Sequence, residues 1–294
     1  MATKILSGKE IADEILLNLR KKIVENENKN RIEPGFAVIM VGNDPASGLY
    51  VRNKKKACYK VGINFNDYHF AENANEDEIL ETIKFLNNDP SIFGIIVQLP
   101  LPENFGTSKI MKVILPKKDV DGFHPENIEK LISFLNSDLE DIDKIISPPV
   151  LKATITLLDQ IEFLEGKKAV IISKNEIFAM PLREAISLKG IDAEIVLPFD
   201  KIDSLKEKDI IISAIGSPNF LKGKMIKEGA AIIDVGTTLV NGKLVGDVDF
   251  KSCEKKCSYI SPVPGGVGPL TVAYLLENVI KAWEKSGLFY STGI

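Results

Sequence analysis

The chain has 294 residues, 45% of them hydrophobic and 27% charged, which suggests about two ordinary domains, each with enough apolar material for a packed core. Its 37 basic and 41 acidic residues leave a net charge of −4, arguing against a general nucleic-acid binder, whose surface would usually be basic. No apolar run reaches the ~20 residues of a membrane-spanning helix, residues 1–9 hold no apolar signal core, and an odd count of three cysteines suits a reducing compartment, so a cytoplasmic protein is expected.

In chain order, Ser7 can cap a helix running to about Glu25, with Ile11, Ile15, Leu16, Leu19 and Ile23 on one stripe. The polar run Asn26 to Arg31 reads as a loop. Gly35 to Gly42 is a short continuous apolar run, as in a strand covered on both faces. Leu49 to Val61 contains neither Gly nor Pro and reads as a helix ending at Gly62. Ile63 to Phe70 alternates like a strand, Glu76 to Asn88 has helical spacing, and Phe93 to Val97 is a buried strand leading into Gln98-Leu99-Pro100-Leu101-Pro102. A second α/β segment begins near residue 148. Lys167 to Ser173 is its first strand, Pro181 suits the first turn of the following helix, and Ala193–Leu197, Asp209–Ile215 and Ala230–Val235 are further strands. Val272 to Lys285 closes the chain as a helix. Alternating strand and helix imply parallel α/β sheets, and the second half has the pattern of a nucleotide-binding sheet.

Four stretches can carry chemistry. Tyr50 and Lys54 are i and i+4, so phenol and amine share one helix face; alone, the pair is ordinary surface decoration. Gln98 lies at the carboxyl end of a strand, where ligands of parallel sheets gather; its amide either finishes the strand or presents an oxygen to an amine. Lys118-Asp119-Val120-Asp121-Gly122 suits a turn, and one of its carboxylates, if buried, could accept two N–H bonds from a ring. Ser261-Pro262-Val263-Pro264-Gly265-Gly266-Val267-Gly268-Pro269 combines residues that restrict φ with residues that free it. That is a defined loop whose backbone can approach a ligand, more than a plain linker needs. In the second half the first strand-to-helix turn, Ser173-Lys174-Asn175, has no glycine for close approach of a pyrophosphate, although Ser173 and Asn175 can donate and Lys174 carries charge. Gly216-Ser217 and Gly236-Thr237 follow later strands and read either as cofactor-facing loops or as plain turns. Cys253 and Cys257 have no further Cys or His nearby in sequence to complete a zinc set, and no metal is expected.

Taken together these stretches resemble one family, the bifunctional methylenetetrahydrofolate dehydrogenase/methenyltetrahydrofolate cyclohydrolases. The likeness rests on Tyr50 through Lys54, Gln98 to Pro102, Lys118 to Gly122 and Pro262 to Pro269, in that order, with Gly229–Gly236 and Val245–Val248 in support. The resemblance implies two α/β domains with a cleft between them: a folate-binding catalytic domain over 1–145, joined by the C-terminal helix 269–294, and a Rossmann-like dinucleotide domain over 146–268. It implies oxidation of 5,10-methylene-tetrahydrofolate with NADP, hydrolysis of the methenyl product to 10-formyl-tetrahydrofolate, a place in one-carbon metabolism and purine biosynthesis, and a homodimer through the dinucleotide domain. By resemblance Lys54 is the central acid/base, Tyr50 lies along the substrate, Gln98 contacts the lysine, Asp121 holds the pterin, and Leu99, Pro262, Gly265 and Gly266 border the folate. Ser173, Lys174, Asn175, Gly216, Ser217, Gly236 and Thr237 would meet the cofactor. The second half departs from the family where it has Ser173-Lys174-Asn175 for Gly-x-Ser, Ala179 for Gly, Pro148 to Ala153 for Pro-Cys-Thr-Pro-x-Gly, and Leu197-Pro198-Phe199 for a polar segment. Lys174 can neutralise a 2′-phosphate without arginine's fork, whereas Asp200 could accept from a ribose 2′-hydroxyl and favour NAD. The alternatives are therefore a cyclohydrolase whose dehydrogenase is lost or switched to NAD, and a folate-binding protein without turnover.

Overall fold

The computed structural model describes residues 2–27, 32–137, 145–198 and 202–287. The first half runs β1 (Lys4–Ile5), α1 (Lys9–Glu27), β2 (Gly35–Val41), α2 (Pro45–Val61), β3 (Asn64–Phe70), α3 (Glu76–Asn88), β4 (Ile92–Val97), α4 (Thr107–Val113) and α5 (Pro125–Leu135). The second half runs α6 (Pro149–Leu158), β5 (Lys168–Ser173), α7 (Glu176–Ser187), β6 (Asp192–Val196), β7 (Ile210–Ala214), β8 (Ala231–Asp234), β9 (Thr238–Val240), β10 (Lys243–Val245), α8 (Phe250–Glu254), β11 (Tyr259–Ile260) and α9 (Val267–Ser286). The fold is α/β, and its described residues form two units: those within 13–131, 140–149 and 272–294, and those within 1–12, 132–139 and 150–271.

The first of these units holds a three-stranded parallel sheet in the order β3-β2-β4. β2 is the middle strand and every one of its residues is buried, which is why its sequence is continuously apolar rather than alternating. β3 is an edge; from Asn66 it alternates, with Tyr68 and Phe70 packed on the core and Asp67 and His69 exposed, and Phe65 is buried on the other face. Ile39, Ile79, Ile83, Leu86, Ile95 and Ile110 make one core between this sheet and the helices α3 and α4. α2 begins at Pro45, four residues before the sequence placed it. Asp44 caps it, its carboxylate accepting from Ser47 N at 2.7 Å, and Pro45 needs no N–H in the first turn. Gly48 therefore lies inside the helix. The end is as expected: Gly62 has φ +92° in the left-handed region and its N–H closes on Cys58 O.

The other unit has a six-stranded, all-parallel sheet in the order β1-β11-β8-β7-β5-β6. From β5 the chain steps to β6 on one side, then returns to lay β7 on the other. The order thus reverses between β5 and β7, and the carboxyl ends of those two strands flank the crevice where open α/β sheets bind ligands. Val170, Ile172, Ile211, Ile232 and Ile260 are buried from four of its strands.

Three further differences from the sequence reading have local causes. Lys4 and Ile5 pair with Tyr259 and Ile260, so the start of the chain extends this sheet instead of belonging with the rest of residues 1–145. Pro181 lies inside α7, not in its first turn, because Asn175 caps the helix earlier by accepting from Phe178 N at 3.3 Å. α9 begins at Val267, inside the proline–glycine stretch, rather than at Val272. Asp200, Phe199 and residues 288–294 lie outside the described residues.

Candidate active site

Lys54 lies on α2, and its Nζ donates to Gln98 Oε1 at 2.6 Å. Gln98 follows the last residue of β4, its backbone N–H bonded to Ile39 O on β2, and its Nε2 donates to Leu99 O at 2.8 Å. The amide is therefore oriented, oxygen toward the lysine and nitrogen toward its own backbone. Burial lowers the pKa of Lys54 from 10.5, and the charge of Asp121 opposes that shift. Burial raises Asp121 to about 6, with Lys54 pulling it down and Asp119 pushing it up. Lysine, amide and carboxylate are thus one electrostatic group; the family resemblance implied the Lys54–Gln98 contact but not the coupling to Asp121. Tyr50 shares the α2 face with Lys54 at i and i+4. Cys58, one turn beyond Lys54, is fully buried with its thiol raised to about 12, too high for a nucleophile.

The turn bearing Asp121 divides its two carboxylates by task. Asp119 is buried and accepts from His124 N at 2.7 Å, Asn127 Nδ2 at 3.0 Å and Gly122 N at 3.2 Å. It holds the turn. Asp121 is only half-buried and faces the lysine's charge. Gly122 adopts φ +73°, and a Cβ there would come within 2.8 Å of the Ser147–Pro148 backbone, so no other residue fits without strain. Asn278 of α9, buried, donates to both Val120 O at 2.8 Å and Ser147 O at 2.9 Å, pinning the turn from below. Its place on an apolar helix face gave no hint of that in the sequence.

The candidate cofactor residues gather at the carboxyl edge of the six-stranded sheet. Ser173 ends β5 and is buried, its Oγ accepting from Asn175 N at 3.0 Å; Lys174 is exposed. Gly216 and Ser217 follow β7, and Gly236 and Thr237 follow β8. Pro262, Gly265 and Gly266 follow β11 in the same unit, tied by Gly266 N to Pro262 O at 2.8 Å and Gly8 N to Gly265 O at 2.9 Å. Two buried aspartates at this edge were not singled out from sequence. Asp247 accepts from Ile215 N, Ser217 N and Ser213 Oγ. Asp234 accepts from Gly236 N, Asp247 N and Val248 N, and burial lifts its carboxyl to about 7. The β9–β10 hairpin was also missed, although its Asn241-Gly242 turn, both residues at positive φ, is a strong local signal.

The model of the tetrahydrofolate dehydrogenase/cyclohydrolase catalytic domain matches residues 6–121, and that of the same family's NAD(P)-binding domain matches 148–287. The chain belongs to the tetrahydrofolate dehydrogenase/cyclohydrolase family. It is 40% identical over 282 residues to a bifunctional protein FolD of Nautilia profundicola, covering 95% of this chain and 96% of that one. Among solved structures it is similar to the bifunctional FolD of Campylobacter jejuni, with a TM-score of 0.86, 41% identity and coverage of 97% and 99%. It is also similar to the FolD of Trypanosoma brucei in complex with NADP and an inhibitor, with a TM-score of 0.88, 31% identity and coverage of 97% and 99%. The family's two-part architecture is thus the one described above, with the Rossmann-like unit as its NAD(P)-binding part. Among the described residues no helix is long and apolar enough to cross a membrane.

Proposed function

We propose that the protein oxidises 5,10-methylene-tetrahydrofolate with NADP and hydrolyses the resulting 5,10-methenyl-tetrahydrofolate to 10-formyl-tetrahydrofolate. The observation that carries this is the 2.6 Å bond from Lys54 Nζ to Gln98 Oε1, with Asp121 acting on the same amine. Burial has already lowered the lysine's pKa, and the methenyl bridge is a cation that disfavours a second positive charge beside it. Neutral Lys54 can then take a proton from water as the water oxygen bonds to the methenyl carbon. The bond from that carbon to N5 breaks, the new hydroxyl's proton passes to N5, and the formyl group stays on N10. Gln98 fixes the amine's direction without adding charge. Asp121 accepts from the pterin ring, Tyr50 lies along the substrate, and Leu99 with Pro262, Gly265 and Gly266 borders it.

The dinucleotide residues are Ser173, Lys174, Asn175, Gly216, Ser217, Gly236 and Thr237. They fit such a ligand at the reversal between β5 and β7: Lys174 offers charge at the first turn, and the space beside Gly216, where a Cβ would meet nothing within 4 Å, is open. When bound, the nicotinamide supplies the acceptor for the hydride leaving the methylene carbon. The glycine-free Ser173-Lys174-Asn175 turn favours a second reading, NAD in place of NADP. On this proposal residues 1–145 carry the folate chemistry and 146–268 the dinucleotide, and the protein works in the cytoplasm as a homodimer on small molecules alone.

Two assays on purified protein test the function: hydrolysis of methenyl-tetrahydrofolate, and oxidation of methylene-tetrahydrofolate with NADP and with NAD separately. Both reactions should proceed in the wild type, and Lys54→Ala should lose hydrolysis while keeping its fold by circular dichroism. Hydrolysis without oxidation by either dinucleotide would refute the bifunctional reading, and wild-type hydrolysis by Lys54→Ala would refute the role of the lysine.

A further inference from the structure

Asp247 is fully buried, and its two oxygens meet three donors. Oδ2 accepts from Ile215 N at 2.6 Å and Ser213 Oγ at 3.0 Å, and Oδ1 accepts from Ser217 N at 2.8 Å. All three donors come from β7 or the turn after it. The two amides flank Gly216, which sits at φ +74°. One carboxylate therefore holds both shoulders of a turn whose centre is a left-handed glycine with open space beside it. Asp247 is itself held: Asp234, from the end of the neighbouring strand β8, accepts from Asp247 N at 3.1 Å and Val248 N at 2.9 Å. The fit leaves no slack, since a Cβ at Gly236 would lie 2.1 Å from Asp247 Cγ, and one at Gly246 would lie 2.0 Å from Asp234 Oδ2.

From this geometry we infer that Asp247 is a positioning residue for the dinucleotide, setting the backbone of the 215–217 turn at the β5/β7 reversal so that Gly216 and Ser217 meet the cofactor in one fixed arrangement. The inference rests on the reading that this edge of the sheet is the dinucleotide site. A buried carboxylate is costly to retain unless its donors need it, and here the donors are the turn itself. Removing a hydrogen-bond partner of a charged group exposes the remaining groups to an unmet desolvation cost. In Asp247→Asn one oxygen becomes an NH2, which faces an amide donor instead of accepting from it.

The test measures three quantities on wild type and Asp247→Asn: dissociation constants for NADP and NAD by calorimetry, methenyl-tetrahydrofolate hydrolysis with no dinucleotide present, and amide exchange at Ile215 and Ser217. The expected result is dinucleotide binding weakened about tenfold or more, faster exchange at the two amides, and hydrolysis within twofold of wild type (about the scatter of such assays). A merely structural lesion would lower hydrolysis as well. Unchanged affinity, or hydrolysis lost in proportion to affinity, overturns the inference. Where Asp247→Asn does not fold, Ser213→Ala is read in its place, since it removes one donor and leaves both amide contacts: affinity should fall about threefold with faster exchange at 215–217, and no change in either overturns the inference. A wild type that binds neither dinucleotide overturns the site reading first, and with it the purpose assigned to Asp247.

Discussion

Replacing Gln98 with Met keeps the side chain's length and removes the oxygen that accepts from Lys54 at 2.6 Å. A hydrogen bond involving a charged partner contributes about 1.5–3 kcal/mol, and a neutral one about 0.5–1.5. The bond therefore favours the protonated amine over the neutral one by about 1 kcal/mol, and its loss should lower the Lys54 pKa further. The sign follows from the mechanism. Hydrolysis needs neutral Lys54, so its rate rises with pH through that pKa, and in Gln98→Met the acid limb moves to lower pH. The plateau falls at the same time, because the bond is strongest as the lysine takes up its proton. Only that difference of about 1 kcal/mol is lost between the neutral amine and the transition state, which lowers kcat roughly fivefold. The assay is loss of methenyl-tetrahydrofolate absorbance across pH, corrected for spontaneous hydrolysis, beside thermal unfolding. A limb that moves to higher pH, or a kcat within twofold of wild type (about assay scatter), would refute the assignment of Gln98 as the lysine's partner.

Asn278→Ala removes the donors to Val120 O and Ser147 O and leaves two buried carbonyls without them, so stability should fall by about 2–4 kcal/mol, read as a lower urea midpoint. The folate KM should rise with it, because the turn bearing Asp121 loosens, while dinucleotide affinity holds; an unchanged midpoint contradicts the pinning. Lys174→Ala should weaken NADP about tenfold, by loss of one charge-assisted contact, and leave NAD alone. Equal losses for both would mean that Lys174 does not meet the 2′-phosphate.

Much of the fold was legible because its signals are local. Phe36–Val41 reads as a fully buried strand since β2 is a middle strand, and Gly62 marks a helix end since only a left-handed residue closes it there. The site was legible only through the family resemblance, since the helix spacing of Tyr50 and Lys54 and the strand-end place of Gln98 have ordinary readings of their own. Helix starts were misplaced where a cap outranked a glycine or proline. Asp44 starts α2 four residues ahead of Gly48, and Asn175 starts α7 six residues ahead of Pro181. Asp234, Asp247 and Asn278 were illegible because most of their partners are backbone groups distant in the chain; Asn278 reaches Val120 over 158 residues. A side chain that serves another segment's amides has no pattern of its own.

The same distinction explains why the lysine's partner is an amide. A carboxylate at position 98 would favour protonated Lys54 and raise its pKa, against the lowering that burial achieves. Asp121 already supplies one such charge, opposed by the burial that holds its own carboxyl near about 6. A second would raise it further and hold back the neutral amine that takes the proton from water. A neutral acceptor orients Lys54 through a single short bond and leaves its charge to be set by burial and by the cation of the substrate. Charge is admitted where it can be answered in place: Asp119 by three donors from Gly122, His124 and Asn127, Asp247 by the amides either side of Gly216. Lys54 stays reactive because its hydrogen-bond partner, Gln98, is neutral and favours the protonated amine less than a carboxylate would.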